Sequence, residues 1–132
     1  MLVLVLFNFF LQAFSMGFLF DCQCQYAFLT LMVDSNGYLG INGNTVAIAA
    51  LDGDVLTING EDVQLDQGYY PMLGNGSAGN WSIDPYSYLQ YNGSNQWAIC
   101  GGSLQIAFFG AGMPPCRLTV SGKILCIYEG TS

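Results

Sequence analysis

Residues 45–66 read TVAIAALDGDVLTINGEDVQLD, and two dipeptides inside that stretch decide the fold. Asp52-Gly53 and Asn59-Gly60 favour positive φ and the tight turns of β-hairpins. Before, between and after them lie Thr45 to Leu51, Val55 to Ile58 and Val63 to Leu65, none long or periodic enough for an amphipathic helix. Short antiparallel strands follow from that spacing.

The same punctuation recurs on both sides, at Asn36-Gly37, Asn42-Gly43, Asn75-Gly76 and Asn92-Gly93. Upstream it bounds Ala27 to Val33. Downstream it bounds Trp81 to Ile83, Leu89 to Tyr91, Trp97 to Cys100, Leu104 to Phe109, Arg117 to Val120 and Ile124 to Tyr128, with Pro85, Gly101-Gly102 and Pro114-Pro115 as further breaks. The pattern predicts one all-β domain over residues 21–132, a compact antiparallel sandwich or barrel of about eight to ten short strands preceded by an apolar N-terminal segment. No sustained repeat and no linker is evident. Phe28, Phe108, Phe109 and one tryptophan are the expected core aromatics. Gly68 to Gly79 lacks clean alternation and is the expected exposed loop.

Met1 to Phe20 reads MLVLVLFNFFLQAFSMGFLF, the apolar run of a secretory signal. Ala13 and Ser15 satisfy the small-x-small rule, so residues 1–15 are the expected signal peptide, with residue 20 as the outer limit. A membrane span competes on length, but Asn8, Gln12, Ser15 and the lack of flanking bases oppose a stable anchor. A buried element of the fold is the third reading. Three sequons, at Asn75, Asn80 and Asn92, fit export and would place glycans on one polar region. Cys22, Cys24, Cys100, Cys116 and Cys126 would then be mostly paired. The expected bridges are Cys116 to Cys126 around the two cations and one N-terminal cysteine to Cys100, leaving one thiol over.

Arg117 and Lys123 face nine acids, giving a net charge of −7, and the chain has no histidine. Such a protein cannot neutralise a run of phosphates, so nucleic acid is excluded as a partner, and after signal cleavage so is an anionic membrane. Without histidine the triads that depend on it and the commonest metal ligand are missing. No catalytic, metal-binding or cofactor-binding residue is assigned, and the expectation is a non-enzyme. Asp52, Asp54, Glu61, Asp62 and Asp66 could gather around calcium, although turn chemistry alone accounts for acids beside such glycines. Asp84, beside Trp81, is the best-placed carboxylate for a glycosidase, but that chemistry needs a second carboxylate at a set distance across a cleft.

Tyr69, Tyr70, Trp81, Tyr86, Tyr88, Tyr91 and Trp97 crowd into one segment. Aromatic faces with nearby amides suit sugar binding, and Trp81, Trp97, Tyr86 and Tyr88 are the expected glycan contacts. Core packing competes for the same rings, because residues alternate sides along a strand.

Residues 80–93 read NWSIDPYSYLQYNG, followed by Ala98-Ile99-Cys100 and, near the end, Cys126-Ile127-Tyr128. Trp81 to Asp84, Leu89 to Tyr91 and the order of Cys100, Cys116 and Cys126 resemble the PhiA-type family of secreted fungal cell-wall proteins. That resemblance implies an extracellular, wall-associated, non-catalytic structural or surface component, with wall polysaccharide or a wall protein as partner. A carbohydrate-binding module or a small secreted effector with an aromatic surface is the alternative.

Overall fold

The computed structural model describes residues 12–22, 25–74, 79–110, 112, 116–117 and 119–128, and among them every regular element is a β-strand. In chain order these are β1 (Phe14–Cys22), β2 (Gln25–Thr30), β3 (Met32–Val33), β4 (Leu39–Gly40), β5 (Thr45–Val46), β6 (Ile48–Asp52) and β7 (Val55–Ile58). They continue with β8 (Glu61–Leu65), β9 (Pro71–Leu73), β10 (Trp81–Ile83), β11 (Leu89–Tyr91), β12 (Trp97–Cys100), β13 (Ile106–Phe108) and β14 (Thr119–Tyr128). One antiparallel sheet runs β13-β12-β14-β1-β6-β7-β8-β9, with β2 also on β1, while β10-β11 and β4-β3-β5 form smaller sheets. The two ends of the long sheet approach each other where the Phe108 N–H donates to the Tyr69 carbonyl at 2.8 Å. The result is a nearly closed barrel.

The hairpins form where the turn pairs place them. Asn59 and Gly60, at φ 52° and 83°, join Ile58 to its partner Glu61, the two positive φ values that a type I′ turn demands. Strand pieces exceed the expected eight to ten because several are two residues long and because β1 begins within the apolar run that reads as a leader. Phe14, Met16 and Phe18 of β1 are at most 1% exposed, and Phe14 pairs with Tyr128 on one side and Ala49 on the other. A leader boundary after Ser15 therefore divides a central strand and takes Phe14 out of the core; residues 1–11 lie outside the described residues.

β14 runs unbroken through Ser121-Gly122, in place of the two strands expected there. A Cβ at Gly122 would collide with the Leu19 carbonyl and the Phe18 ring, so the bare glycine lets β14 lie close against β1. Gly17 makes room in the same way, since the Phe28 ring occupies the space of its missing Cβ. Phe28 is consequently 44% exposed, a cover on the outer face rather than the core residue expected, whereas Phe108 is buried and Phe109 half-buried. The stretch expected as one exposed loop, Gly68 to Gly79, contains β9, and Pro71 is buried; residues 75–78 lie outside the described residues.

One local loop nonetheless recurs at unequal spacing. Asp34, Asp66 and Asp84 each open the same loop. In each, Oδ1 accepts the N–H two and four residues on, at 2.8–3.0 Å. The aspartate N–H donates to the carbonyl of the tyrosine four residues on, Tyr38, Tyr70 or Tyr88, at 2.9 Å each time. The residue before that tyrosine, Gly37, Tyr69 or Ser87, has φ between 69° and 85°. Oδ2 is spent differently: Asp34 accepts from Gln105 Nε2, Asp66 from the Tyr38 hydroxyl and Asp84 from Asn95 Nδ2. Each carboxylate thus fixes one turn and ties it to a distant part of the chain, which is the local hydrogen bonding that aspartate offers a backbone.

Cys100 and Cys116 form a disulfide across 16 residues of sequence, replacing the expected Cys116–Cys126 bridge. Cys126 is a free thiol, 4% exposed, because strand alternation turns it inward while Ile127 faces out. Burial, aided by the charge of Asp84, pushes that thiol up to about 12. Cys24 lies outside the described residues, and Cys22 ends β1 opposite Gln25.

Candidate functional site: an aromatic cleft

Trp81 and Trp97, expected on a sugar-binding surface, are both closed into the core at 1% and 0% exposure. Their rings stack in parallel, 5.9 Å apart at 4°. Trp81 pairs across strands with Tyr91, and Trp97 with Phe108. Tyr91 meets Trp81 edge-on at 5.0 Å, Phe108 meets Trp97 at 5.1 Å, and Tyr91 meets Phe108 at 5.3 Å. Each ring thus closes a face of its neighbour. The Trp97 Nε1–H donates to the Leu89 carbonyl at 3.0 Å. No free indole face remains for a ligand, and this quartet fastens the β10-β11 hairpin to the main sheet.

An open aromatic site lies elsewhere. A cleft of about 350 Å³ is walled by Phe20, Tyr26, Tyr88 and Phe109, underlain by Trp97, and edged by Asp21, Gln96, Ser121 and Lys123. Register explains the grouping. On β1, Phe14, Met16 and Phe18 point inward, so Leu19 and Asp21 point out; Leu19 pairs with Lys123 of β14, and Asp21 with Tyr26 of β2. Directly paired residues share a face. Tyr26 is 78% exposed, so its ring is free to meet a ligand.

The opposite wall is the third aspartate loop. Asp84 holds the N–H groups of Tyr86 and Tyr88, both at 2.9 Å, and the Ser87 carbonyl accepts the Cys126 N–H at 2.8 Å. Tyr88 bridges to Leu125 and is half-buried, whereas Tyr86 is 76% exposed and tilts against Tyr88 at 6.4 Å. Of the four expected glycan contacts, Tyr88 stands on the cleft wall and Tyr86 beside it. Asn95 then carries the loop to the cleft's cation: its Nδ2 donates to Asp84 Oδ2 at 3.0 Å, and its Oδ1 accepts from Lys123 Nζ at 3.4 Å. That ammonium lies 5.9 Å from the centre of the Tyr88 ring.

Burial alone would raise the Asp84 carboxyl, but hydrogen bonds from Tyr88, Asn95 and Tyr86 and the charge of Lys123 outweigh it and hold the group below the ordinary range. It stays ionised with both oxygens engaged, which is the wrong state for a glycosidase acid. The acidic stretch does not converge either: among the described residues no group of three or more cysteine, aspartate or glutamate side chains is placed to share a metal ion. Asn80 and Asn92 are exposed side by side at the end of the β10-β11 hairpin, where the Asn92 N–H donates to the Asn80 carbonyl; Asn75 lies outside the described residues.

Sequence reading missed Phe20 and Tyr26 because the apolar leader pattern absorbed the first and the second stood at its edge. The available signal was period two: Phe14, Met16, Phe18 and Phe20 alternate with Ser15, Gly17, Leu19 and Asp21. The cleft therefore brings together rings free to stack and polar groups free to hydrogen-bond, the two needs of a polyhydroxylated ligand. Compared with family models, curated proteins and solved structures, the chain matches none.

Proposed function

We propose that the protein is an exported, glycosylated, non-catalytic surface component of a fungal wall, and that it holds wall polysaccharide in the cleft between Tyr26 and Tyr88. The observation that carries this reading is the cleft itself: aromatic rings on two walls, Tyr26 the most open of them, with an amide, a hydroxyl and both charge types at its edge. Sugar rings offer C–H faces to aromatic rings and hydroxyls to polar groups of this kind, so binding needs no bond to break. The Cys100–Cys116 disulfide is compatible with an oxidising compartment. The wall assignment rests on the resemblance at Trp81 to Asp84 and Leu89 to Tyr91, whose tryptophan and leucine are buried and serve the fold rather than the cleft.

Adsorption to insoluble chitin, β-glucan and a polyuronate gel is the direct test. Retention on at least one, released by its soluble oligosaccharide, is the expected result. Free passage over all three would overturn the reading.

A further inference from the structure

Lys123 is one of only two cations in a chain of net charge −7, and its setting is unusual for a lysine. It is half-buried at the cleft edge. An ammonium carries three donors and is costly to shield from water without acceptors. Here it has one neutral acceptor at a long 3.4 Å, Asn95 Oδ1, and the face of Tyr88. Among the described residues no carboxylate oxygen comes within 4.0 Å of a lysine or arginine nitrogen. Asp84, whose carboxyl feels the Lys123 charge, has both oxygens engaged by the loop and by Asn95. Asp21, the cleft's other charge, is exposed at the rim.

We propose that the cleft selects acidic saccharides, the carboxylate of a uronic-acid residue pairing with Lys123 while its ring lies against the tyrosine walls. This rests on the carbohydrate reading of the cleft and names the ligand class. The chain Asp84–Asn95–Lys123 makes the selection a built feature: the aspartate fixes the asparagine amide, and the amide oxygen aims the ammonium. Asn95 is accordingly a positioning residue. The net negative charge of the molecule opposes an anion at long range, but salt screens it beyond about 8 Å at physiological ionic strength, so the local cation decides.

Titration calorimetry of the full chain with trigalacturonate, with neutral laminaritriose and with acetate tests the proposal. Trigalacturonate is expected to bind about tenfold or more tighter than laminaritriose, as a charge-assisted hydrogen bond implies, and the gap is expected to narrow as salt rises. K123M should bring trigalacturonate down to the affinity of laminaritriose, and K123R should keep the gap. N95L should shrink the gap and its salt dependence, which a merely structural loss would not single out. Equal affinity for the two trisaccharides overturns the selectivity and leaves the carbohydrate reading standing. Acetate binding as tightly as trigalacturonate overturns the saccharide class in favour of a bare carboxylate site, and no binding of either trisaccharide overturns the acidic-saccharide proposal, leaving the carbohydrate reading to the adsorption test.

Discussion

Two sets of aromatic rings stand near each other in this protein and have opposite fates. Trp81, Tyr91, Trp97 and Phe108 cover one another's faces and join a hairpin to the barrel. Phe20, Tyr26, Tyr88 and Phe109 line an open cleft. Composition does not separate them, since each set mixes tyrosine with larger or wholly apolar rings. Pairing does. A ring whose cross-strand partner is aromatic and inward-facing, as in Trp81–Tyr91 and Trp97–Phe108, is closed by that partner. Tyr26, whose partner is outward-facing Asp21, is left open. The identity of the opposite residue, more than the ring itself, decides between stability and recognition.

W97A puts this contrast under the greatest strain. Removing a ring at 0% exposure opens a cavity beneath Trp81 and leaves the Leu89 carbonyl without its donor. A loss of about 3–5 kcal/mol is expected in urea denaturation. A loss below about 1 kcal/mol would show that the quartet is not a core.

The aspartate loops divide the two regions at an intermediate scale, because the same motif serves both. D34A and D84A each strand two N–H groups and should cost about 1–3 kcal/mol apiece. Only D84A should also weaken ligand binding, since only that loop carries Tyr88 and Asn95 to the cleft. Equal binding defects in both variants would mean that the loops act through overall stability alone.

Acid should expose these loops next. Asp34 and Asp84 are raised by burial but held lower overall by their hydrogen bonds. A carboxylate whose folded pKa is depressed stabilises the fold fully above its unfolded pKa, about 3.9, and that contribution is lost as pH falls through the folded pKa. The melting temperature is therefore expected to hold near neutrality and to drop below about pH 4, with D34N/D84N showing a shallower drop. A double variant with the same acid slope as the parent would remove these carboxylates from the account.

Much of the barrel was legible because turn chemistry is local. Asn59-Gly60 required two positive φ values and received them. Strand β1 was not legible, because an apolar run of its length satisfies a leader, a span and a buried strand alike, and its pairing to β14, β2 and β6 is visible only in the structure. The disulfide failed for a related reason: Cys126 looked close to Cys116 in sequence, but the parity of β14 turns it inward. The repeated Asp-x-x-x-Tyr loops were written in the sequence at Asp34, Asp66 and Asp84, yet their unequal spacing hid them from a search for fixed periods. Of the site, Tyr86 and Tyr88 were legible as aromatics beside a turn. Lys123 was not, because its role depends on Asn95, 28 residues away.

The smallest structural effect carries the most functional information. Tyr26 is 78% exposed, so Y26A leaves no cavity, and its stability should stay within about 0.5 kcal/mol of the parent. Its ring is nonetheless the most open face in the cleft. Stacking on an aromatic face is worth about 0.5–1.5 kcal/mol beyond area burial, so oligosaccharide affinity should fall by a few-fold to about tenfold. Y26F should restore most of that affinity, because the ring and not the hydroxyl meets the sugar, whereas Y26L keeps apolar area without a π face and should not. Calorimetry on these three variants separates stacking from simple hydrophobic contact: if Y26L binds as well as Y26F, the cleft is a greasy groove and the distinction between closed and open rings loses its functional meaning.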